Sequence, residues 1–261
     1  MGEEGVGTVF PTRRMKKEVH MNNKFQRAVL GITVLVLFMA APALAAGKIS
    51  WKKWREADGI VGYEHSVADS KYQETKAVTV IDAPMGVLLE VLMDIPNFPK
   101  WMYQCKQATL LDKTDEFHRV LYYDQNIPVI GQPDRWAIIE SITTYDLSKG
   151  SCTTTLNSID RPYAKANGVR MNKFSGTFEL TMLSRDKTQV SYTAFSDPAG
   201  FAPAFIANWI IRRVSFDTVQ AWRQMAKDPH YIQAAQKGIP RSIIEKAIAD
   251  GTLKYGSPTA G

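Results

Sequence analysis

A succession of strand-like runs, separated by short turns, restricts the fold of this chain more than any other pattern in it. The runs are rich in Val, Ile, Thr and aromatic residues, which favour strands. Turns such as Ser148-Lys149-Gly150 are short enough to join antiparallel neighbours. The sequence therefore predicts a mostly antiparallel, meandering sheet. Its predicted strands are 107–111, 117–123, 135–145, 152–159, 173–183 and 189–196.

Two further runs, GIVGYEHSV and YQETKAVTVI, precede this series and predict a hairpin within residues 59–81. A short helix is predicted next, in APMGVLLEVLMDI, because its apolar residues recur at helical spacing and Pro96 follows it. The helix therefore separates the hairpin from the rest of the sheet.

The strand predicted at 173–183 alternates between apolar and polar residues. Successive side chains of a strand point to opposite faces, so this strand predicts a sheet with one apolar and one polar face. The apolar face carries Phe174, Gly176, Phe178, Leu180 and Met182.

A long helix is predicted after the last strand, from near Pro203 to before Asp228-Pro229. Its length is about 36 Å at ~1.5 Å per residue, which is enough to cross the sheet and cover the apolar face. Seven of the eight residues in 204–211 are apolar, and a helix that is apolar all round is normally buried. Two short helical segments are expected within 229–251.

The stretches FPKWMYQCKQATLLDK, NIPVIGQPDRWAIIESI and GFAPAFIANWIIRRVSFDTVQAWRQM resemble, in order and spacing, the START (steroidogenic-acute-regulatory-related lipid transfer) domains, of a bacterial exported type. They are similar to the family's Trp-containing entry into its fourth strand, its Pro-Arg-Asp-aromatic strand start and its terminal helix. The resemblance covers about residues 50–227. It implies an α+β helix-grip fold, in which a curved antiparallel sheet wraps around the long C-terminal helix and leaves an internal apolar tunnel.

The resemblance implies that the tunnel binds an apolar lipid, which can be sterol-like, hopanoid-like or another membrane lipid. It also implies that the protein contacts a membrane surface transiently. We predict that ten residues, most of them apolar, line the ligand site. They are Tyr122, Trp136, Ile138, Glu140, Phe174, Phe178, Leu180, Phe205, Trp209 and Phe216.

Glu140 is the charged member of this set. Alternation places it on the same face as Trp136 and Ile138, and we take this face to be the inner one. A buried carboxylate needs a partner, for which Arg119 and Tyr122 are the candidates. In sterol-binding family members a basic residue stands at the matching place. The sequence therefore does not specify which lipid headgroup is bound.

Neighbouring segments are interpreted in the same way. Asp134 after Pro133 predicts a turn with a local ion pair to Arg135. Gly200, Pro203 and the connection 159–170 are predicted as hinge and lid. The side chains of Phe201, Phe205 and Ile206 would then lie near the tunnel mouth, where they can enter a bilayer interface.

The sequence lacks the GxSxG, HExxH, paired CxxC and P-loop motifs, so no catalytic residue, metal or cofactor is assigned. His118 is interpreted as a surface or hydrogen-bonded residue rather than a base, because a base needs a positioned partner. We therefore favour a non-enzymatic lipid carrier. A grip-fold enzyme of the polyketide cyclase type, which would need a positioned acid and base, and an adaptor of a membrane complex are the alternatives.

The formal charge of +6 does not predict nucleic-acid binding. Much of the excess positive charge lies in residues 1–45, and the remainder of the chain has no basic run longer than Arg212-Arg213. We expect a monomer.

The N-terminus has the pattern of a secretory signal. From Met21, a short basic region precedes the apolar run 28–41 and a small-residue site that ends at Ala45. This pattern predicts a periplasmic or secreted protein after cleavage near Ala45. An uncleaved inner-membrane anchor is the alternative, since 28–46 is free of charge and close to the ~20 residues of a membrane span.

Four segments follow from these patterns. They are an extension that translation from Met21 would omit (1–20), the signal peptide (21–45), the START-like domain (46–227) and a C-terminal helical extension with a tail (228–261). Cys105 and Cys152 can be joined in an oxidising compartment, although two cysteines in a domain of this size are more often separate core residues.

Overall fold

The structure is a computed structural model that describes residues 50–200 and 203–258. The predicted extension, the signal segment and Phe201 lie outside the described residues. The strands are β1 (Lys52–Ala57), β2 (Ile60–Ser66), β3 (Gln73–Ile81), β4 (Cys105–Lys113), β5 (His118–Gln125), β6 (Arg135–Asp146), β7 (Ser151–Ser158), β8 (Val169–Arg170), β9 (Lys173–Ser184) and β10 (Lys187–Asp197). The helices are α1 (Met85–Met93), α2 (Ala204–Met225), α3 (Pro229–Ala235) and α4 (Ile239–Ala249), with short 3-10 turns at Ile95–Lys100 and Leu147–Lys149.

All ten strands belong to one curved sheet. Its neighbours follow the order β1-β2-β3-β10-β9-β7-β6-β5-β4, and the short β8 lies beside β6. The pairs are antiparallel except β6 with β8. The α+β helix-grip fold predicted from the sequence is confirmed.

Strand β1 is absent from the sequence-based prediction. Its sequence KKWREA is rich in charge, and most of its residues are exposed. Charged side chains are typical of edge strands because they discourage pairing with other chains. The alternation of β9 is confirmed, since its apolar residues are buried and face α2. We call this side of the sheet the inner face and the opposite side the outer face.

Helix α2 crosses the inner face and packs on β2, β3 and β10. Two buried hydroxyls fasten its middle, because Thr75 Oγ1 donates to the carbonyl of Ile211 at 2.9 Å and Ser215 Oγ donates to Thr75 Oγ1 at 3.1 Å. Near its C-terminal end, Trp222 Nε1 donates to the carbonyl of Leu88 in α1 at 3.2 Å. The helix is therefore held at its middle and at its end.

Helices α3 and α4 confirm the two predicted helical segments and pack on α1. Tyr231 donates its hydroxyl hydrogen to Asp94, 3.0 Å away, after the end of α1. The following tail returns to the sheet, where the amide of Lys254 donates to Leu147 and that of Gly256 donates to Met182. The C-terminal extension thus covers the end of the sheet at which β9 ends.

Cys105 in β4 and Cys152 in β7 are separate, buried thiols. Burial raises the pKa of each to about 12. Within residues 50–200 and 203–258, no helix has the length and apolar character needed to cross a membrane. The same residues contain no group of three or more His, Cys, Asp or Glu side chains arranged to hold a metal ion.

Candidate functional site

Aromatic side chains fill the interior between α2 and the sheet. The Phe178 ring stacks on Tyr192, with ring centroids 4.0 Å apart and planes 4° from parallel. Trp222 packs on the same ring in an edge-to-face arrangement, with ring centroids 5.2 Å apart. The ring centroid of Trp101 lies 6.1 Å from that of Phe178. The predicted site residues Phe174 and Leu180 also lie on this inner face and are buried. The interior is therefore a packed aromatic core next to the second half of α2, which contributes Trp222.

A cavity of about 50 Å³ lies under the N-terminal half of α2. We call it the mouth cavity. Its apolar wall comes mainly from α2, and its polar groups come from β5, β6, β10 and the loop 126–134. The apolar lining includes Ile127, Ile206, Ala207, Ile210, Ile211 and Val214, and the polar lining includes Gln125, Gln132, Arg135 and Ser196.

Arg135 carries the charge of the mouth cavity, and its side chain is buried, with only 2% of its surface exposed. Its Nε donates to the carbonyl of Pro198 at 2.7 Å, Nη1 donates to the carbonyl of Pro133, and Nη2 is 3.5 Å from Gln132 Oε1. Burial lowers the pKa of this guanidinium, which nevertheless stays charged near neutral pH. The predicted local ion pair between Arg135 and Asp134 is wrong, because the Asp134 carboxylate accepts a hydrogen bond from Lys106 Nζ, 2.5 Å away.

The face assigned to β6 from the sequence is wrong. Arg135, Ala137 and Ile139 point inwards, and the last two belong to the core. Trp136 lies on the outer face, where its ring is 6.2 Å from that of Tyr122. Ile138 shares this face because it pairs directly with Tyr122 and is two residues from Trp136. These three predicted site residues therefore face away from the mouth cavity.

Glu140 also lies on the outer face, and its partner differs from both predicted ones. Its Oε1 is 2.8 Å from His118 Nε2, and about a third of each side chain is exposed. Arg119 points inwards and donates to the carbonyl of Met93 at 2.8 Å. The interpretation of His118 as a hydrogen-bonded surface residue fits this contact.

The connection 159–170 covers the outer face, so the interpretation of this segment as a lid is wrong. Its Tyr163 ring lies 4.5 Å from that of Tyr122, and Arg170 lies over Trp136 at 5.4 Å. Burial, with the nearby Asp124 charge, raises the pKa of Tyr122 to about 12. The loop that flanks the mouth cavity is instead 126–134, which holds Ile127 and Gln132.

The three predicted site residues of α2 separate into two environments. Phe216 is fully buried, 5.8 Å from the ring of Trp54 in β1. Phe205 and Trp209 are 76% and 48% exposed on the first turns of the helix. Ile130 in loop 126–134 is also fully exposed. We call Ile130, Phe205 and Trp209 the apolar rim, because they belong to the two segments that flank the mouth cavity.

A larger cavity, of about 400 Å³, lies outside the predicted site. It is bounded by the start of α1, the C-terminal helices α3 and α4, and the turn between β9 and β10. Its lining includes Met85, Val87, Met182, Arg185, Arg241 and Ile244. None of the ten predicted ligand-binding residues is in this lining.

The sequence did not predict that three further side chains lie in the interior, namely Trp101, Arg135 and Tyr192. Tyr192 could have been placed by alternation, because β10 pairs it with Phe178. The burial of Arg135 depends on the Pro198 carbonyl, 63 residues further along the chain. No local pattern contains that contact.

Comparison with known proteins agrees with this architecture. The START domain family matches residues 43–230. An uncharacterized protein of Pseudomonas aeruginosa is 26% identical over 204 residues, which are 77% of this chain and 98% of that protein.

Two solved structures show the same fold. One is a STAR-related lipid transfer protein of Xanthomonas axonopodis, which is 24% identical with a TM-score of 0.62 and covers 68% of this chain and 99% of its own. The other is human StAR-related lipid transfer protein 5, which is 14% identical with a TM-score of 0.60 and covers 79% of this chain and 97% of its own.

Proposed function

Because the chain belongs to the START domain family, we propose that it binds an apolar lipid between α2 and the inner face and carries it between membranes chemically unchanged. The observation that carries this proposal is the mouth cavity, whose wall is apolar and whose two flanking segments expose apolar side chains. Sterol-like, hopanoid-like and other membrane lipids are the ligand classes to test.

The lipid enters by displacing part of the helix and the aromatic core. Sites for small molecules usually enclose about 300–1,000 Å³, whereas the mouth cavity has about 50 Å³. The first half of α2 is the element most suited to move, since the buried hydroxyl contacts of the helix begin only at Ile211. Before that residue, Asn208 bonds to the backbone of Lys71 and Gln73 near the helix start.

The apolar rim is the proposed contact with the membrane. Exposed aromatic side chains insert readily into a bilayer interface. Arg213 lies 5.5 Å from the Trp209 ring, but its guanidinium is paired with Asp217 on the same helix, so the apolar side chains make the proposed contact. Contact at this place would open the mouth cavity directly to the acyl chains. The proposed surface is therefore part of the transfer path.

A carrier fits the cavity better than a cyclase does. The polar groups of the lining are one guanidinium, two amides and one hydroxyl, and no carboxylate or imidazole occurs among its described residues. An acid and base pair for ring closure would require groups with matched pKa values. A protein adaptor would bind its partner through the apolar rim and would not need the cavity. A test of lipid binding therefore distinguishes an adaptor from a carrier.

We further propose that the protein works as a monomer in the periplasm or outside the cell, after cleavage of the signal near Ala45. The apolar run 28–41 and the small-residue site that ends at Ala45 support this location. An N-terminal sequence of the protein isolated from its own cells would test it. A chain that begins before Met21 or keeps 28–46 would contradict the cleavage.

Mass spectrometry of organic extracts of the purified protein tests the main proposal. We expect an apolar lipid to co-purify, or to be taken up from vesicles that contain sterols, fatty acids and phospholipids. Repeated recovery of lipid-free protein that takes up none of them would refute lipid binding. An altered lipid recovered after incubation would instead favour the enzyme.

The membrane contact is tested with Phe205→Asp. Removal of an aromatic side chain from a bilayer costs about 1.5–3 kcal/mol, which corresponds to about ten- to a hundredfold in membrane affinity. The fold should persist, because Phe205 is largely exposed. Val80→Asp is the matched control, since Val80 is an exposed apolar residue at the opposite end of the sheet. If both variants and the wild type transferred lipid between vesicles at equal rates, the apolar rim would be excluded as the membrane contact.

A further inference from the structure

Two buried hydrogen-bond donors in the aromatic core have no partner within the part of the chain that the structure describes. The hydroxyl of Tyr192 and Nε1 of Trp101 belong to side chains that are at most 2% exposed, and neither has a partner among the described residues. Both rings pack against Phe178. The neighbouring Trp222 shows the usual arrangement, because its Nε1 donates to the carbonyl of Leu88. An unpaired buried donor destabilises a folded protein and calls for an explanation.

The geometry of Tyr192 directs its hydroxyl across the inner face, where the lipid is proposed to bind. The ring lies over Gly176 of the neighbouring strand, where an added Cβ would be 3.2 Å from the ring and 3.4 Å from the hydroxyl oxygen. Leu156 of β7 is next to the same point, so the hydroxyl projects across the inner face towards the middle of the sheet. A glycine at 176 thus leaves the space that this orientation needs.

From these contacts we propose that Tyr192 and Trp101 form a polar subsite that binds an uncharged oxygen acceptor of the lipid, such as a ketone, ester or hydroxyl oxygen. The inference rests on the proposed function and specifies its ligand class. Indole is only a donor, so its missing partner must be an acceptor. Burial raises the pKa of Tyr192, which keeps the phenol protonated and able to donate. The rings packed against the two donors are Phe178 and Trp222, which carry no charge, so the acceptor that the donors bind is uncharged.

The test uses two pairs of radiolabelled probes that differ mainly in an oxygen function: cholestanone with cholestane, and methyl stearate with nonadecane. Their partition is measured between the protein and phosphatidylcholine vesicles. The wild type should prefer the oxygenated member of at least one pair, relative to the partition of both members into vesicles alone. Tyr192→Phe should lower this preference about 2- to 10-fold, the range of one neutral hydrogen bond. Gly176→Ala, which crowds the ring, should lower it as well.

Tyr63→Phe is the matched control, because Tyr63 lies beside Lys76 on the outer face. It should leave the preference unchanged. The thermal midpoint of lipid-free Tyr192→Phe gives a second measure. It should equal or exceed that of the wild type, since the change removes an unpaired hydroxyl and keeps the ring.

The outcomes separate the subsite from the proposed function. Uptake of both probes of a pair with equal preference, or a preference that Tyr192→Phe leaves intact, would overturn the subsite and leave lipid binding standing. A lower midpoint of lipid-free Tyr192→Phe would also overturn it, because the hydroxyl would then have a partner in the protein itself. Failure of the wild type to take up any probe, fatty acid or phospholipid would overturn lipid binding and the subsite together.

Discussion

Replacing Phe178 by Ala should remove the centre of the aromatic core. The Phe178 ring is fully buried and contacts Tyr192, Trp222 and Trp101 at centroid distances of 4.0, 5.2 and 6.1 Å. The variant loses the apolar burial of the ring and three aromatic contacts, and it leaves a cavity that strands and helix cannot fully close. Substitutions of this kind cost about 3–5 kcal/mol. A domain with a total stability of about 5–15 kcal/mol would remain folded, but with a much smaller margin.

Urea unfolding monitored by tryptophan fluorescence measures this loss, because Trp101 and Trp222 lie beside the substituted ring. With a slope of about 2 kcal/mol per molar urea, the midpoint should fall by roughly 1.5–2.5 M. Thr177→Ala is the control on the same strand, since Thr177 points to the outer face, and it should change the stability by less than about 0.5 kcal/mol. A loss below about 1 kcal/mol for Phe178→Ala, or equal losses for both variants, would refute the assignment of the inner face.

Three further outcomes are expected. Thr75→Val removes the hydroxyl that bonds to the Ile211 carbonyl, so it should lower the unfolding free energy by about 1–3 kcal/mol and speed lipid exchange from vesicles; unchanged exchange would show that this contact does not restrain the helix. Glu140→Gln should leave lipid uptake within about twofold of the wild type, because the carboxylate bonds to His118 on the outer face; a large loss of uptake would contradict that placement. Burial raises the pKa of Glu90, so the folded state binds this proton more tightly than the unfolded chain, and stability is lost as the pH rises through the raised value. As the pH rises above the ordinary glutamate pKa of 4.5, thermal midpoints should therefore fall more steeply in the wild type than in Glu90→Gln, and equal slopes would argue against that shift.

The comparison of β9 with β6 shows which parts of the site a sequence can predict. In β9, polar residues separate the apolar ones, since only one face of this strand is covered, and the pattern predicts both the strand and its inner face. In β6, Trp136, Ala137, Ile138 and Ile139 are consecutive apolar residues. The core covers one face and the connection 159–170 covers the other, so the pattern is compatible with either orientation.

The polar contacts of the site depend on distant parts of the chain. Arg135 stands at a strand start after Pro133-Asp134, a context that is typical of a surface turn. Its burial results from carbonyl acceptors, one of which belongs to Pro198. His118 in β5 bonds to Glu140 in the adjacent strand β6, and the sequence does not specify the register of these two strands. The fold was therefore predictable from periodicity, turns and family resemblance, whereas the partners of charged groups needed the tertiary structure.

The uneven attachment of α2 makes it a lever. Its C-terminal end is held by the buried Trp222 and its middle by Thr75. Its first turns, in contrast, carry the exposed Phe205 and Trp209 and are bonded to the neighbouring backbone through Asn208. The helix has 22 residues and so measures about 33 Å. Once the hydrogen bonds of Thr75 and Asn208 break, a pivot of about 10° at the Trp222 end would displace the first turn by about 6 Å over that length, which is more than the diameter of an acyl chain. A small rotation far from the membrane is thus enough to uncover a passage at the membrane, and the aromatic rings around Trp222 can keep most of their contacts while it occurs.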